Sequence, residues 1–293
     1  MVDGLESEPY QDVADLAFSP SGKNIAWTAR KNDKWKVIKN GAESEPWDRV
    51  GPLFWSAKRE ALAYASGLGK EEWAVVDATA IGPYDGVMPE SLTFNSQGAA
   101  VAFAARRGDA FWVVDPEGEK GPFESVEPPQ FLGDSNATIF VARRAAATFW
   151  VVDGHHGPVL ADATGLVLSA TGRKLMILAR WGSKTELVVA NITGKECGEG
   201  RCSAAVERSV RHDVILGGTP AWSRAGEHFG YIAGNASSRL LMLMIDGRWK
   251  ADIDVRELMA MLTIAPDLAG SFLGDSVVLA QWVKAELALV TGR

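Results

Sequence analysis

Along this chain the apolar and aromatic residues come in runs of four to seven, separated by Gly, Asn, Asp, Ser or Pro. That texture predicts short β-strands joined by turns. The first unit shows it fully, with strands predicted at residues 15–19, 24–30, 35–39 and 46–50 and a turn at Pro20-Ser21-Gly22-Lys23. The second of these strands recurs as Leu62-Ala63-Tyr64-Ala65, Val101-Ala102-Phe103-Ala104 and Ile139-Phe140-Val141-Ala142, then at 175–179, 229–233 and 277–282. The third recurs at 73–77, 111–115, 149–153, 186–191, 240–246 and 286–290. Apolar residues on both sides of the alternation suit strands buried on both faces, and small Ala alternating with large aromatics lets neighbouring sheets interdigitate.

The pattern is a repeat. Gly4-Leu5-Glu6-Ser7-Glu8-Pro9-Tyr10 returns as Gly41-Ala42-Glu43-Ser44-Glu45-Pro46-Trp47, and a strand-end marker falls at 19, 56, 95, 133, 169, 223 and 274. Seven units follow, starting near 15, 52, 91, 129, 165, 219 and 270, with insertions at 192–218 and 248–270. Four strands in about 40 residues is the period of a propeller blade. The expected fold is therefore all-β, a single seven-bladed β-propeller of four-stranded antiparallel blades over residues 1–293. The seventh unit ends after its third strand, so a strand at 8–13 is expected to complete it and close the ring, leaving no bare sheet edge. A two-sheet sandwich, or two β-domains, is the competing architecture, because the repeat phase degrades after residue 193.

Phe18-Ser19-Pro20-Ser21-Gly22-Lys23-Asn24-Ile25-Ala26-Trp27 resembles the F-S-P-D-G-K-x-I-A-Y signature of TolB-like, WD-type propeller repeats. Such repeats occur in bacterial envelope proteins and in propellers attached to prolyl-peptidase-type hydrolases. Later units keep the hydrophobic frame but drop the Pro and the turn Asp, as in Phe94-Asn95-Ser96-Gln97-Gly98. The resemblance implies a propeller fold and an envelope setting; the separate N-terminal domain that TolB carries is not expected in these 293 residues.

Chemistry is sparse. There is no Gly-x-Ser-x-Gly elbow, no phosphate-cradling Gly-rich loop and no His-Glu-x-x-His, so no catalytic residue, cofactor or metal is expected. His155 and His156 sit side by side in a turn, where an exposed turn is the simpler reading than a metal site, and His212 and His228 stand isolated. Cys197 and Cys202, in the first insertion, are either a loop-stapling disulfide or two thiols. An oxidised pair implies a periplasmic or extracellular protein; with Met1-Val2-Asp3-Gly4 already repeat sequence and no signal peptide, a cytoplasmic setting is the alternative. No apolar run approaches the roughly 18 residues of a spanning helix.

With 30 basic against 37 acidic residues the net charge is -7, which argues against a nucleic-acid partner unless charge is segregated. It is segregated in part. The turns between second and third strands are basic, and Arg30, Arg106, Arg107, Arg143, Arg144 and Arg180 form the expected partner-binding face, suited to a protein with an anionic surface. Asp12, Asp48, Asp85, Glu124 and Asp162 lie on the same side and can neutralise it in pairs. The expected function is a non-catalytic scaffold for protein–protein interaction in a bacterial cell-envelope complex, with the insertions as docking elements. The alternative is a hydrolase, a lyase or a saccharide- or peptide-binding module at the channel mouth, near Asp15, Asp134 and Asp275.

Overall fold

The computed structural model describes residues 9–194, 197, 200–216, 218–235 and 240–253. Among them the chain is strand and turn apart from one short 3-10 turn at Pro89–Ser91. It divides into two compact units, which part between Ala145 and Ala146.

In the first unit, Asp12–Phe18, Ile25–Lys31, Lys34–Lys39 and Ala42–Glu43 form an antiparallel meander. The second sheet opens with Arg49–Val50 and Phe54–Trp55 and continues through Leu62–Leu68, Glu71–Val76 and Thr79–Tyr84. The third opens with Gly86–Val87 and Thr93–Phe94 and continues through Val101–Arg107, Ala110–Asp115 and Gly118–Phe123. A fourth repeat begins the same way, Ser125–Val126 and Gln130–Phe131 both pairing with Thr138–Arg144. In the second unit Ala147–Val152 pairs with His155–His156. A fifth sheet follows, Thr164–Leu168, Lys174–Trp181, Lys184–Thr193 and Ser203–His212. The sixth comprises Val214–Ile215 and Ala221–Trp222, then Phe229–Asn235, Leu240–Ile245 and Arg248–Ile253. The fold is all-β, built from four-stranded antiparallel sheets with the order and size of propeller blades.

The strand-end marker is a turn device. Ser19, Ser56, Asn95, Ser169 and Ser223 are all buried. Each backbone N–H donates to the carbonyl five residues on, at Asn24, Ala61, Ala100, Lys174 and His228, at 2.8 to 3.0 Å. The side-chain oxygens accept from the turn as well, for example Ser169 Oγ from the Lys174 N–H at 3.0 Å and Ser223 Oγ from the His228 N–H at 3.2 Å. A small hydroxyl or amide there satisfies backbone donors that burial would otherwise leave unpaired. In the fourth repeat Leu132, one residue before the expected marker, makes the backbone bond to Ala137.

Several boundaries differ from expectation. The first strand of four repeats is broken in two because Pro52, Pro89, Pro128 with Pro129, and Pro220 fall between the halves, where a residue lacking an N–H cannot serve the ladder. Residues 46–50 are not a fourth strand. Trp47 bridges Trp35, and Arg49–Val50 already opens the second sheet. In the same way Asp12 and Val13 pair with Arg30 and Ala29 of the first sheet. The insertion at 192–218 is mostly regular structure: Ser203–His212 pairs along its length with Lys184–Thr193, making the longest hairpin among the described residues. The seventh unit, and with it ring closure, falls outside the described residues.

Cores form between adjacent sheets. Ala63, Ala65, Tyr84, Phe103 and Ala105 interdigitate between the second and third; Met176, Leu187, Trp222 and Tyr231 do so between the fifth and sixth. The alternation of small and large residues along the second strands is what lets these faces close.

Candidate functional site

The turns between second and third strands follow one design through the first unit. Gln11, Asp48, Asp85 and Glu124 each send a side-chain oxygen to a backbone N–H of the next turn, at Asp33, Gly69, Gly108 and Ala145, over 2.6 to 3.1 Å. The Gly69 N–H and then Lys34 hold the Asp48 carboxyl below its usual range. These acids therefore belong to the turn scaffold before they belong to any ion pair.

Five of the six expected arginines are likewise engaged. Arg30 meets Asp33 at 3.4 Å. Arg106 donates to the carbonyls of Gly108 and Asp85 at 2.9 and 3.0 Å. Arg107 forks onto both oxygens of Glu119 at 3.0 and 2.9 Å and lies 5.2 Å over the Tyr84 ring. Arg143 reaches Glu124 at 3.5 Å. Arg144 donates to the Pro122 carbonyl and sits 4.7 Å over Phe123. Exposed pairs of this kind add only about 0 to 1 kcal/mol each, but they occupy guanidinium donors that a partner would otherwise use.

The sixth, Arg180, has no side-chain partner among the described residues, and its neighbourhood is distinctive. Trp181 is 55% exposed. The Arg211 guanidinium stacks 3.9 Å from its ring centroid and donates to the buried Glu186 carboxylate at 3.0 Å, which Ser209 Oγ also contacts. Lys184 lies 3.7 Å from Asp213. The hairpin register explains the cluster, since Trp181 opposes Lys184 and Glu186 opposes Arg211. Sequence reading finds Arg180 but not Trp181 or Arg211, because an aromatic at a strand end reads as core.

Around Arg107 the Tyr84 hydroxyl donates to Glu119 at 2.9 Å. Burial, then the Glu119 carboxylate, push the Tyr84 hydroxyl up to about 12. Burial raises Tyr64 and Tyr231 as well. The folded chain thus keeps these protons above pH 10, where an unfolded tyrosine releases its own, so their contribution is complete below pH 10 and, for Tyr84, is lost as pH rises through about 12. In an alkaline titration the tyrosinate absorbance of these three residues is expected to appear late and together with loss of the far-ultraviolet strand signal. Ordinary tyrosine ionisation in a chain that stays folded would contradict their burial.

The histidines and cysteines also find partners. His155 Nε2 is 2.6 Å from the Gly200 carbonyl, and His156 stacks on Phe149 at 4.7 Å. Both cysteines are disulfide-bonded, and the Cys202 N–H donates to the buried Asp153 carboxylate at 2.8 Å, which seats the hairpin tip on the preceding turn. His212 meets the Tyr231 hydroxyl at 3.0 Å. His228 lies 2.7 Å from Asp246. Among the described residues no three His, Cys, Asp or Glu side chains converge as metal ligands, and no helix is long and apolar enough to cross a membrane. Asp134 engages Ser96 between the turns of the third and fourth repeats. Asp275 lies outside the described residues.

No protein-family model matches the sequence, and no curated protein matches it either. Solved structures do. TolB from Acinetobacter baumannii is 17% identical, with a TM-score of 0.37 over 82% of this chain and 62% of that one; the chain thus spans less than two thirds of the TolB structure. The Swd1 β-propeller domain of Myceliophteria thermophila is 12% identical, with a TM-score of 0.41 over 84% and 89% of the two chains. The Dos1 propeller is 10% identical, with a TM-score of 0.43 over 85% and 60%. The likeness to these structures, two of them named as propellers, is one of fold alone.

Proposed function

We propose that the chain is a non-catalytic β-propeller scaffold that holds a protein partner on the turn side of its fifth sheet, around Arg180, Trp181 and Arg211. The observation that carries the reading is a half-exposed tryptophan whose ring is pinned by an arginine, itself anchored on a buried carboxylate. Trp and Arg held rigidly at a surface are the residues that dominate protein interfaces. The broader basic face narrows accordingly, from six arginines to the one whose guanidinium is not engaged within the described fold, beside Lys184. A partner with an acidic patch fits that charge.

Two further parts of the reading have their own support. Disulfide-bonded cysteines favour an oxidising compartment, and hence a periplasmic or extracellular complex. Ring closure by a seventh unit is favoured by the first sheet. Val13 is 55% exposed, whereas Val87, Val126 and Ile215 at the same register are 5%, 9% and 4% exposed. One more sheet packed there would bury Val13, Leu16 and Phe18 alike.

The test is affinity capture from cells that make the protein, identification of retained chains by mass spectrometry, and titration with the purified partner. Trp181→Ala is expected to weaken that partner at least about tenfold. Arg180→Glu is expected to slow association and flatten its salt dependence. If both variants bind the partner at wild-type strength, the docking surface lies elsewhere.

A further inference from the structure

The second unit holds a cavity of about 550 Å³ that the partner surface does not use. It lies where the outer strand of the fifth sheet faces the hairpin turn of the sixth, and Arg208, Glu227, His228, Asp246, Trp249 and Lys250 are among its lining residues. Hairpin chemistry builds the floor. Asp246 takes a left-handed conformation at the turn, with φ 50°. One of its carboxylate oxygens accepts the Phe229 N–H at 3.0 Å and the other lies 2.7 Å from His228 Nδ1. A carboxylate only accepts, so His228 donates from Nδ1 and keeps Nε2 for another partner. Arg208 donates to the Asp246 carbonyl, and Lys174 lies 3.6 Å from Glu207.

Trp249 stands over this floor, 60% exposed, with its indole N–H donated to Asp252 at 3.1 Å. That bond fixes the edge of the ring and leaves the face available. The register shifts opposite Leu243 and Met244, which makes Lys250 the extra residue of a bulge. Because a bulge re-aims the side chains beside it, Arg248, Trp249 and Lys250 all line one cavity although they are adjacent in sequence. Glu207 and Asp246 are engaged by Lys174 and His228. Arg248 and Lys250 have no acidic partner among the described residues.

We propose that this cavity binds a hexuronate residue of an acidic polysaccharide, its C–H face stacked on Trp249, its carboxylate held by Arg248 and Lys250, and its hydroxyls bonded to Asp246, Glu227 and His228. Each element of the site asks for that chemistry. A flat exposed aromatic takes the apolar face of a pyranose, unneutralised cations take a carboxylate, and a mixed set of acceptors and donors takes vicinal hydroxyls. A neutral sugar would leave the cations idle, and a lone phosphate would leave the indole unused. The volume lies in the range of small-ligand pockets.

Calorimetric titration of the full chain tests this, with an alginate-derived tetrasaccharide as uronate probe, cellotetraose as its neutral counterpart, and AMP and a glutamate-rich peptide as other anions. Saturable binding of the uronate oligomer is expected, weakened at least about tenfold by Trp249→Ala. Arg248→Ala with Lys250→Ala is expected to erase the preference over cellotetraose. Trp181→Ala is expected to leave sugar affinity unchanged, which separates this site from the partner surface. These side chains are exposed at the rim, so an unchanged melting temperature accompanies each substitution. The proposal is overturned by absence of saturable uronate binding up to about 10 mM, by equal affinity in Trp249→Ala, or by tighter binding of AMP or the peptide.

Discussion

Phe103→Ala is expected to lower the unfolding free energy by about 3–5 kcal/mol. Phe103 is fully buried in the middle of the cluster between the second and third sheets, and truncation there removes dispersion contacts on every side of the ring. It also meets Tyr84 edge-on at 5.9 Å and 77°. Tyr84 in turn donates to Glu119, which Arg107 holds in a two-bond fork. Loss of Phe103 therefore frees the tyrosine that organises the surface pair above it, and Tyr84 is expected to ionise at lower pH in the variant. Phe18→Ala is the companion variant: that ring is 61% exposed and lies on the face a closing sheet would cover, so its removal is expected to cost less than that of Phe103. Denaturant unfolding of both variants checks the pair. A loss below about 1 kcal/mol for Phe103→Ala would mean that the cluster does not pack as described.

The contrast between these two phenylalanines also shows what was legible in the sequence. Both sit in repeat-phased apolar runs, and the phase itself was readable because it rests on local chemistry. The marker at Ser19, Ser56, Asn95, Ser169 and Ser223 recurs since a six-residue turn needs a small buried acceptor there. Strand limits were less readable, because Pro52 or Pro89 reads as a break between strands, whereas here each interrupts one strand whose halves share a partner. The charged face was over-read for a related reason. Counting charges pairs arginines with acids, but Arg106 and Arg144 spend their donors on backbone carbonyls, which no composition reveals. His228 looked isolated because its partner lies 18 residues on, across a hairpin. The first sheet holds the same relation between Asn24 and Asn40, at 2.6 Å, so the repeat carried that signal in weaker form. Trp181 and Trp249 carried none: a tryptophan in a strand reads as interior until the sheet shows which side it faces.

Gly98→Ala is expected to destabilise the chain by about 2–5 kcal/mol, from two separable causes. Gly98 has φ +68°, a left-handed conformation that costs a residue with a Cβ about 1–2 kcal/mol. That cost is general, and Gly108, at φ +62° with no atom within 4 Å of where a Cβ would sit, is expected to show it alone when changed to alanine. At Gly98 a Cβ would also fall 1.8 Å from Ser56 Oγ and 3.1 Å from Ser56 Cβ. Ser56 is fully buried and its hydroxyl accepts the Arg59 N–H at 3.2 Å, so rotating it away breaks a turn bond of the second sheet. Overpacking of this kind adds about 1–3 kcal/mol. The difference between the two alanine variants, read from their denaturation midpoints, therefore measures how closely the third sheet's turn seats on the second. A second substitution, Ser56→Gly, removes the obstructing hydroxyl and its carbon; in that background Gly98→Ala is expected to cost less than in the wild type, with the 3.2 Å approach to the Arg59 backbone nitrogen as the remaining excess over Gly108→Ala. If the two glycines respond alike in the wild-type background, the seat is looser than these distances require, and the turn marker serves its own sheet alone.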